Sequence, residues 1–388
     1  MESRLPEPTA DAQTASLQLT QVISDEIRTQ GGWISFARYW ELALYTPGLG
    51  YYAGGTQKFG SAAEGGDFVT APELTPLFGQ ALANQVAQIT AASAPVVLEA
   101  GAGSGKLAAD LLLALDALGQ TPERYLILEL SGELRARQQA TIAQLAPTLL
   151  DRVTWLDALP EQFSGCVVGN EVLDAMPVHR LHWSEEGLLE TGVALDPHNA
   201  FIQQDMPVSA ALQAAVADIE VPVGYRGEVG LAAQAWMAEW GRRIVQGGMV
   251  LIDYGLPRRE LYHPQRNGGT VRCHYQHRSH DDPYWWPGLS DITAHVDFTA
   301  VAEAGFAAGL EVLGYTNQYA FLMNCGIGEL LARRQREDSP ASAVKASGAL
   351  QLLMSPNEMG ELFKVIALGK GIAAPLLGFT RGDRTHTL

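Results

Sequence analysis

Cysteine is scarce in this chain: Cys166, Cys273 and Cys325 are the three present in 388 residues, and they stand in unrelated contexts. That excludes a disulfide framework, and no Cys-x-x-Cys pair exists to suggest redox or zinc chemistry. Long apolar runs are missing as well. None reaches the roughly 18 residues needed to span a bilayer, and LLLALDAL at 111–118 carries Asp116 and reads as a buried amphipathic helix. The N-terminus MESRLPEPTADAQ lacks the basic and apolar regions of a secretion signal and the Arg-rich, acid-poor character of a transit peptide. A cytoplasmic protein without membrane insertion is expected. Basic side chains are outnumbered, 26 against 43 acidic, for a net charge of −17. Such a field repels nucleic-acid backbones and favours cationic partners, and it also serves solubility. No internal repeat and no G-x-x-x-x-G-K-[ST] phosphate loop is present.

What the chain does have is apolar content, 47% of its residues, enough to bury a large core. Its length allows two or three domains. Residues 1–16 are expected to be a mobile tail, and 17–93 an N-terminal helical cap with a lid loop. Helical spacing runs through Leu17, Leu19, Val22, Ile23 and Ile27, breaks at Gly31-Gly32, and resumes through Ile34, Phe36, Tyr39, Trp40 and Leu44. The stretch 46–72 is rich in Gly, Pro and aromatics, including Tyr51, Tyr52, Phe59 and Phe68, which suits a functional loop. A helix at about 75–92 follows.

From 94 to 388 apolar runs alternate with helical patterns, the signature of a parallel sheet covered by helices. The runs are VVLEA (96–100), YLILEL (125–130), RVTWL (152–156), CVVG (166–169) and GMVLID (248–253), with helices expected at 106–118, 133–145 and 230–246. Two last runs, LEVLGY (310–315) and FKVIALG (363–369), pair best as a terminal antiparallel hairpin. The outcome is an α/β fold with a seven-stranded Rossmann-like sheet, that of class I methyltransferases. Insertions are expected at about 181–229, 256–296 and 318–361, the last with a polar, mobile patch RRQREDSPASAVKASG. The first two leave the sheet where α/β sites form.

The segment Val97 to Leu107, VLEAGAGSGKL, is an apolar strand running through glycines into a helix. Gly101 and Gly103 allow a tight turn and bring bare backbone close to a ligand; Gly105 lets the helix start press on the strand. A glycine turn alone is weak evidence. A dinucleotide fingerprint, however, needs glycine where Lys106 stands. Glu99, two residues before the first glycine, suits the ammonium of a bound amino acid and would repel a pyrophosphate. Glu129 closes the second strand, placed to accept both ribose hydroxyls. Asp157, after the third strand, is a candidate for the adenine amino group or an ordinary strand-end carboxylate. Together these residues select S-adenosylmethionine (SAM) over NAD.

After the fourth strand comes Asn170-Glu171-Val172-Leu173-Asp174. In this architecture that strand end faces the methyl donor. Asn170 offers a donor and an acceptor, while Glu171 and Asp174 are two carboxylates suited to orient a guanidinium. Methyl transfer from a sulfonium needs little proton transfer and depends on in-line positioning in a dry pocket. The structural reading of Asp174, as a helix cap or a tie for the Pro177 loop, stands beside this one.

Cys273, His274, His277, His280, Asp281 and Asp282 crowd one segment, but their spacing matches no zinc pattern and Arg272 and Arg278 repel a cation, so no metal is expected. In DITAHVD (291–297), Asp297 is a natural cap for a helix over 298–308; Asp291 and His295 either line a substrate channel or anchor the loop. Asp67, Phe68 and Thr70 are candidates for a lid strip over the cofactor. Trp285 and Trp286 suit an interface or a core.

The chain resembles the bacterial MidA-like family of SAM-dependent methyltransferases, whose mitochondrial relative is the arginine methyltransferase assisting respiratory complex I assembly. The resemblance runs through GDFVTAPELTPLFG (66–79), LEAGAGSGKLAADLL (98–112), NEVLDAMPVHRL (170–181), LIDYG (251–255), GTVRCHYQHR (269–278), DITAHVDF (291–298) and KVIALGKG (364–371). It implies symmetric dimethylation of arginine on a protein partner, with SAM in the glycine loop; Glu171, Asp174 and His295 are the catalytic candidates read from the residues. A respiratory-chain subunit as substrate and self-association into a homodimer are further expectations. Methylation of a small molecule, or a SAM-binding assembly factor with little catalysis, are the alternatives.

Overall fold

The alternation of apolar and helical segments after residue 94 builds a single sheet, and its order follows from chain connectivity. The computed structural model describes residues 5–54, 70–337, 339–373 and 375–388. Seven strands form the main path of the sheet, with one further two-residue strand off that path: β1 (Val96–Ala100), β2 (Arg124–Leu128), β3 (Val153–Leu156), β4 (Phe163–Asn170), β5 (Ile244–Leu256), β6 (Glu311–Asn317) and β7 (Phe363–Lys370). They lie in the order β6-β7-β5-β4-β1-β2-β3. Neighbours from β5 to β3 pair in parallel, while β7 runs antiparallel to both β5 and β6. This is the expected seven-stranded sheet with its terminal hairpin. β1 is buried at all five positions, as a central strand covered on both faces must be.

The chain divides into two units. One comprises Val69–Val172, Trp236–Gly255 and Phe298–Leu388 and holds this sheet. Its helices include α1 (Pro76–Ala91), α2 (Lys106–Ala117) and α3 (Gly132–Leu145). Helix α1 starts where Pro76 occupies the first turn and Thr75 accepts a hydrogen bond from Leu77 N at 3.3 Å. Leu77, Phe78, Leu82, Val86 and Ile89 from α1, Leu107, Leu111 and Leu115 from α2, and Val97, Tyr125, Val168 and Val250 from the sheet share one buried cluster. The side chains of Gln85 and Gln88 accept from Gly378 N and Leu377 N, each at 2.8 Å, and so fasten the C-terminal segment to α1.

The other unit is assembled from Met1–Phe68, Leu173–Ala235 and Leu256–Asp297. Antiparallel strands His179–Ser184, Gly187–Leu195, Phe201–Pro207 and Tyr225–Val229 are joined by Trp33–Ser35, which pairs with Gly187–Leu195 so that Ile34 meets Val193. A smaller sheet holds Arg272–Tyr275 between Arg278–His280 and Asp291–Thr293. Leu19, Ile23 and Ile27 of helix Ala10–Thr29 pack with Tyr39, Trp40 and Leu44 of helix Phe36–Tyr45, and with Val193, Cys273 and Ile292, in one core.

Four expectations need correction. The first helix begins at Ala10, so the tail expected over 1–16 is helical in its second half; Thr9 caps it and Ser16 Oγ donates to Pro287 O at 2.8 Å. The alanines, glutamine and threonine of 10–15 lack the large apolar spacing used to place helices, yet alanine and glutamine favour one. The stretch 17–93 is not one cap, because helix α1 belongs with the large sheet while the residues before 69 join the first two insertions. Those insertions are therefore parts of a second core rather than excursions. The polar patch at 333–348 lies largely within helices Ile327–Glu337 and Pro340–Met354. Among the described residues, no helix is long and apolar enough to cross a membrane.

Candidate functional site

The glycine turn sits at the carboxyl end of β1. Gly101, Gly103 and Gly105 have φ of 68°, 52° and 85°, the left-handed region where a side chain is strained. A Cβ on Gly105 would fall 2.8 Å from Gln138 Cα, and one on Gly101 would fall 3.0 Å from Val172 Cγ2. The turn is thus both twisted and crowded from behind. Gly105 leads directly into α2, whose N-terminal N–H groups complete a cradle for a ligand. Ser104 Oγ accepts from Lys106 N at 3.2 Å and its hydroxyl donates to Glu73, while Lys106 is paired with Asp110.

Glu99 is only 2% exposed, and its Oε2 accepts the Tyr125 hydroxyl at 2.6 Å. Burial pushes its carboxyl up to about 7, the Tyr125 bond works against that rise, and the neighbouring Asp110 adds to it. At the end of β2, Glu129 accepts Ser131 N at 2.9 Å on Oε1 and Gln138 Nε2 at 3.1 Å on Oε2. Burial raises its pKa, opposed by these bonds. Each oxygen keeps lone-pair capacity beyond the bond it accepts. Arg135 gathers the ends of β2 and β3: its Nε donates to Glu129 O at 2.7 Å, and its NH2 reaches Leu156 O at 2.8 Å and Asp157 Oδ1 at 2.6 Å. The Asp157 side chain is 89% exposed, a strand-end carboxylate held by an arginine.

At the end of β4, Asn170 is 9% exposed, and its Nδ2 donates to Glu171 Oε1 at 3.0 Å. Its Oδ1 is buried without a hydrogen-bond partner among the described residues. Glu171 adopts φ 55°, unusual for a residue with a side chain, and its N donates to Ile252 O at 2.9 Å. Asp253, 1% exposed, accepts Val172 N at 3.1 Å and Tyr254 N at 2.9 Å, fixing the turn after β4 to the end of β5.

Asp174, Asp291 and His295 lie in the other unit. Asp174 is buried and its main-chain oxygen accepts Ala294 N at 3.1 Å. The oxygen of the next residue, Ala175, takes both the Trp40 indole at 3.0 Å and the Tyr45 hydroxyl at 2.9 Å. Asp291 is buried and its Oδ1 accepts the Tyr52 hydroxyl at 2.9 Å. Burial, followed by the charge of Asp291 and the fields of Tyr45, Tyr51 and Asp174, raises the Tyr52 phenol well above its ordinary value. His295 donates its N–H to Thr270 Oγ1 at 3.0 Å, and Thr270 N donates to the buried Glu228 at 2.8 Å. Thr70 precedes the short helix Ala71–Leu74 without a side-chain cap bond. Asp67 and Phe68 lie outside the described residues. In the histidine-rich segment, His280 Nε2 meets Ser290 Oγ at 3.0 Å and Arg272 pairs with Asp281 at 2.9 Å.

Sequence reasoning missed Gln138, Arg135, Asp253 and Glu228. For Gln138 a signal existed: Leu134, Gln138 and Ile142 are the buried stripe of α3, and a polar residue on such a stripe must find partners.

The residues of the large unit fit a nucleoside bearing an amino acid on three counts. These are a glycine turn whose backbone is left bare at the carboxyl end of β1, a buried Asn170 acceptor without a partner among the described residues, and a carboxylate with spare capacity at the β2 end. Comparison with known proteins agrees. A crystal structure of a superfamily member from Burkholderia thailandensis, bound to S-adenosyl-homocysteine, is 52% identical over 99% of this chain and 100% of that one, with a TM-score of 0.95. "Protein arginine methyltransferase NDUFAF7, mitochondrial" of Danio rerio is 27% identical, covering 90% of this chain and 89% of that protein. Its Mus musculus counterpart is 29% identical, covering 87% and 81%. A family model described as "Putative S-adenosyl-L-methionine-dependent methyltransferase" matches residues 77–316. The chain belongs to this family of S-adenosyl-L-methionine-dependent methyltransferases.

Proposed function

We propose that the chain transfers the methyl group of SAM to an arginine of a protein substrate. The observation that carries the arginine reading is the likeness to protein arginine methyltransferases, which spans 87% or more of this chain in the two relatives described. Residue chemistry supports it. Glu171 and Asp174 stand three positions apart directly after β4, and the chain's net charge of −17 favours a cationic substrate.

SAM, when bound, supplies an electrophilic methyl on a sulfonium. The backbone of Gly101, Gly103 and Gly105 cradles the ligand, Glu99 receives its ammonium, Glu129 accepts the ribose hydroxyls, and Asp157 is the candidate for the adenine edge. Asn170 Oδ1 offers an acceptor beside the reacting end. Glu171 and Asp174 orient the planar guanidinium and balance the charge that grows on it. Asp291 and His295 are assigned to the substrate side, with Asp67, Phe68 and Thr70 as lid residues. The compartment proposed is the cytoplasm.

The test is methyl-tritiated SAM added with the purified protein to a lysate of a deletion strain, followed by mass spectrometry of the labelled products. Labelled arginine in a protein is the expected result. Label confined to small metabolites would overturn the protein-arginine reading and leave the methyl donor in place. No label at all, with S-adenosylhomocysteine still bound, would point to an assembly factor.

A further inference from the structure

We infer that Gln138 is the positioning residue of the cofactor site, aiming the Glu129 carboxylate at the ligand while holding the glycine turn and β3 in register with it. This rests on the reading of Glu129 as the acceptor of the ribose hydroxyls.

Gln138 has no exposed surface. Its Oε1 accepts the Trp155 indole N–H at 2.9 Å. An indole nitrogen only donates, so the atom facing it has to be the oxygen, and the orientation of the amide is settled. The NH2 end must then point the other way. There it donates to Gly103 O at 3.2 Å and to Glu129 Oε2 at 3.1 Å, so one amide group uses both of its hydrogens on the cofactor site. Its main chain takes part too, since a Cβ on Gly105 would lie 2.8 Å from Gln138 Cα and 3.1 Å from Gln138 O. Three ligand-facing segments converge on this residue: the turn after β1, the end of β2, and β3 two residues before Asp157.

The physical consequence concerns direction. A buried carboxylate free to rotate would present its lone pairs in several orientations and lose entropy on binding. With Ser131 N on Oε1 and Gln138 on Oε2, the plane of Glu129 is set beforehand. Trp155 completes the arrangement by preventing the amide from flipping, which would set its oxygen against two acceptors.

Calorimetric titration with two probes tests this. One is S-adenosylhomocysteine and the other its 2′,3′-dideoxy analogue, which lacks the hydroxyls that Glu129 accepts. Gln138→Leu is expected to weaken the first by about 10-fold or more and the second by less than about 3-fold. In a Glu129→Ala background the same substitution should cost less than about 3-fold for either probe, because the two residues act as one. Gln138→Glu adds a readout that packing alone does not give. Its affinity should approach wild type at acidic pH, where a shared proton bridges the carboxylates, and fall as pH rises. If Gln138→Leu does not fold, Trp155→Phe serves instead, with a smaller loss confined to the hydroxyl-bearing probe. Equal losses for both probes, additive losses with Glu129→Ala, or a pH-independent Gln138→Glu would overturn the inference alone. A Glu129→Ala variant binding at full strength would remove the underlying reading of Glu129, and a wild type that binds neither probe the cofactor site itself.

Discussion

The Tyr125 hydroxyl donates to Glu99 at 2.6 Å, deep in the sheet beneath the glycine turn. Burial holds this carboxyl at about 7 against an ordinary 4.5, so the ligand-free protein prefers it protonated. An acid whose pKa is raised by folding costs stability as pH climbs from the unfolded value to the folded one, and the cost is complete above about 7. Glu99→Gln keeps an acceptor for Tyr125 and removes the charge. It should stabilise the ligand-free protein at pH 8 by a margin on the order of 2–3 kcal/mol greater than at pH 5. Wild-type affinity for S-adenosylhomocysteine should rise through pH 7, whereas the variant binds weakly at every pH. Urea unfolding and calorimetry check the two halves; a flat wild-type affinity between pH 6 and 8 would contradict the ammonium role.

Asn170 leaves a buried oxygen without a partner among the described residues. An unsatisfied acceptor costs about 1–3 kcal/mol, so its removal offsets much of what truncation loses. We expect Asn170→Ala to stay within about 1 kcal/mol of wild-type stability while kcat/KM falls by about 10–100-fold. Melting curves and single-turnover methylation give both numbers. A large stability loss with intact turnover would make Asn170 a structural residue.

Glu171 and Asp174 differ in how they are held. Glu171 adopts φ 55°, a backbone cost that glutamine would bear equally, and glutamine keeps an oxygen for Asn170 Nδ2. Glu171→Gln should therefore leave stability unchanged and lower kcat by about 10²-fold, with KM for SAM unmoved. For the buried Asp174, Asp174→Asn is expected to lower kcat to a similar degree and to cost about 1–3 kcal/mol in stability. Steady-state kinetics on an arginine-containing substrate decides; a rise in KM for SAM in either variant would move that residue to the cofactor side.

The second unit carries its own charged network. Asp205 joins Arg226 at 3.0 Å, His182 at 2.8 Å and Thr191 at 2.5 Å. Burial alone would raise its pKa, but the hydrogen bonds from Thr191, Arg226 and His182 outweigh it and bring the carboxyl down to about 2 from 3.8. Its stabilisation is present above 3.8 and fades as pH falls toward 2. With partial solvent screening, Asp205→Asn should cost about 1 kcal/mol at pH 7 and less at pH 3. Denaturant titration at the two pH values tests it, and an equal cost at both would refute the linkage.

The sheet was legible because parallel strands buried on both faces announce themselves as apolar runs: VVLEA and GMVLID lie within strands that the structure contains. The glycine turn was legible too, since glycine is the residue that Gly101 and Gly105 geometry demands. What stayed hidden depends on long-range pairing. Nothing in WIS at 33–35 announces that it extends a sheet formed from residues beyond 178. Gln138 was only half legible: its place on a buried stripe marked it as needing partners, but those partners come from three separate strand ends that the helix pattern does not name. Glu129 stood out from its place after a strand, whereas its hydrogen bond with Gln138 did not.

The second unit draws its core from three stretches of chain that are far apart in sequence, with Leu19 and Trp40 meeting Val193 and Ile292. A ribosome releases the first stretch long before the last one exists, so those early helices must wait, apolar faces uncovered, while more than two hundred further residues are made. Folding of this half is thereby tied to completion of nearly the whole chain. A nascent polypeptide halted before residue 290 would expose sticky surface at its beginning, which makes chaperone demand during synthesis a built-in property of the architecture.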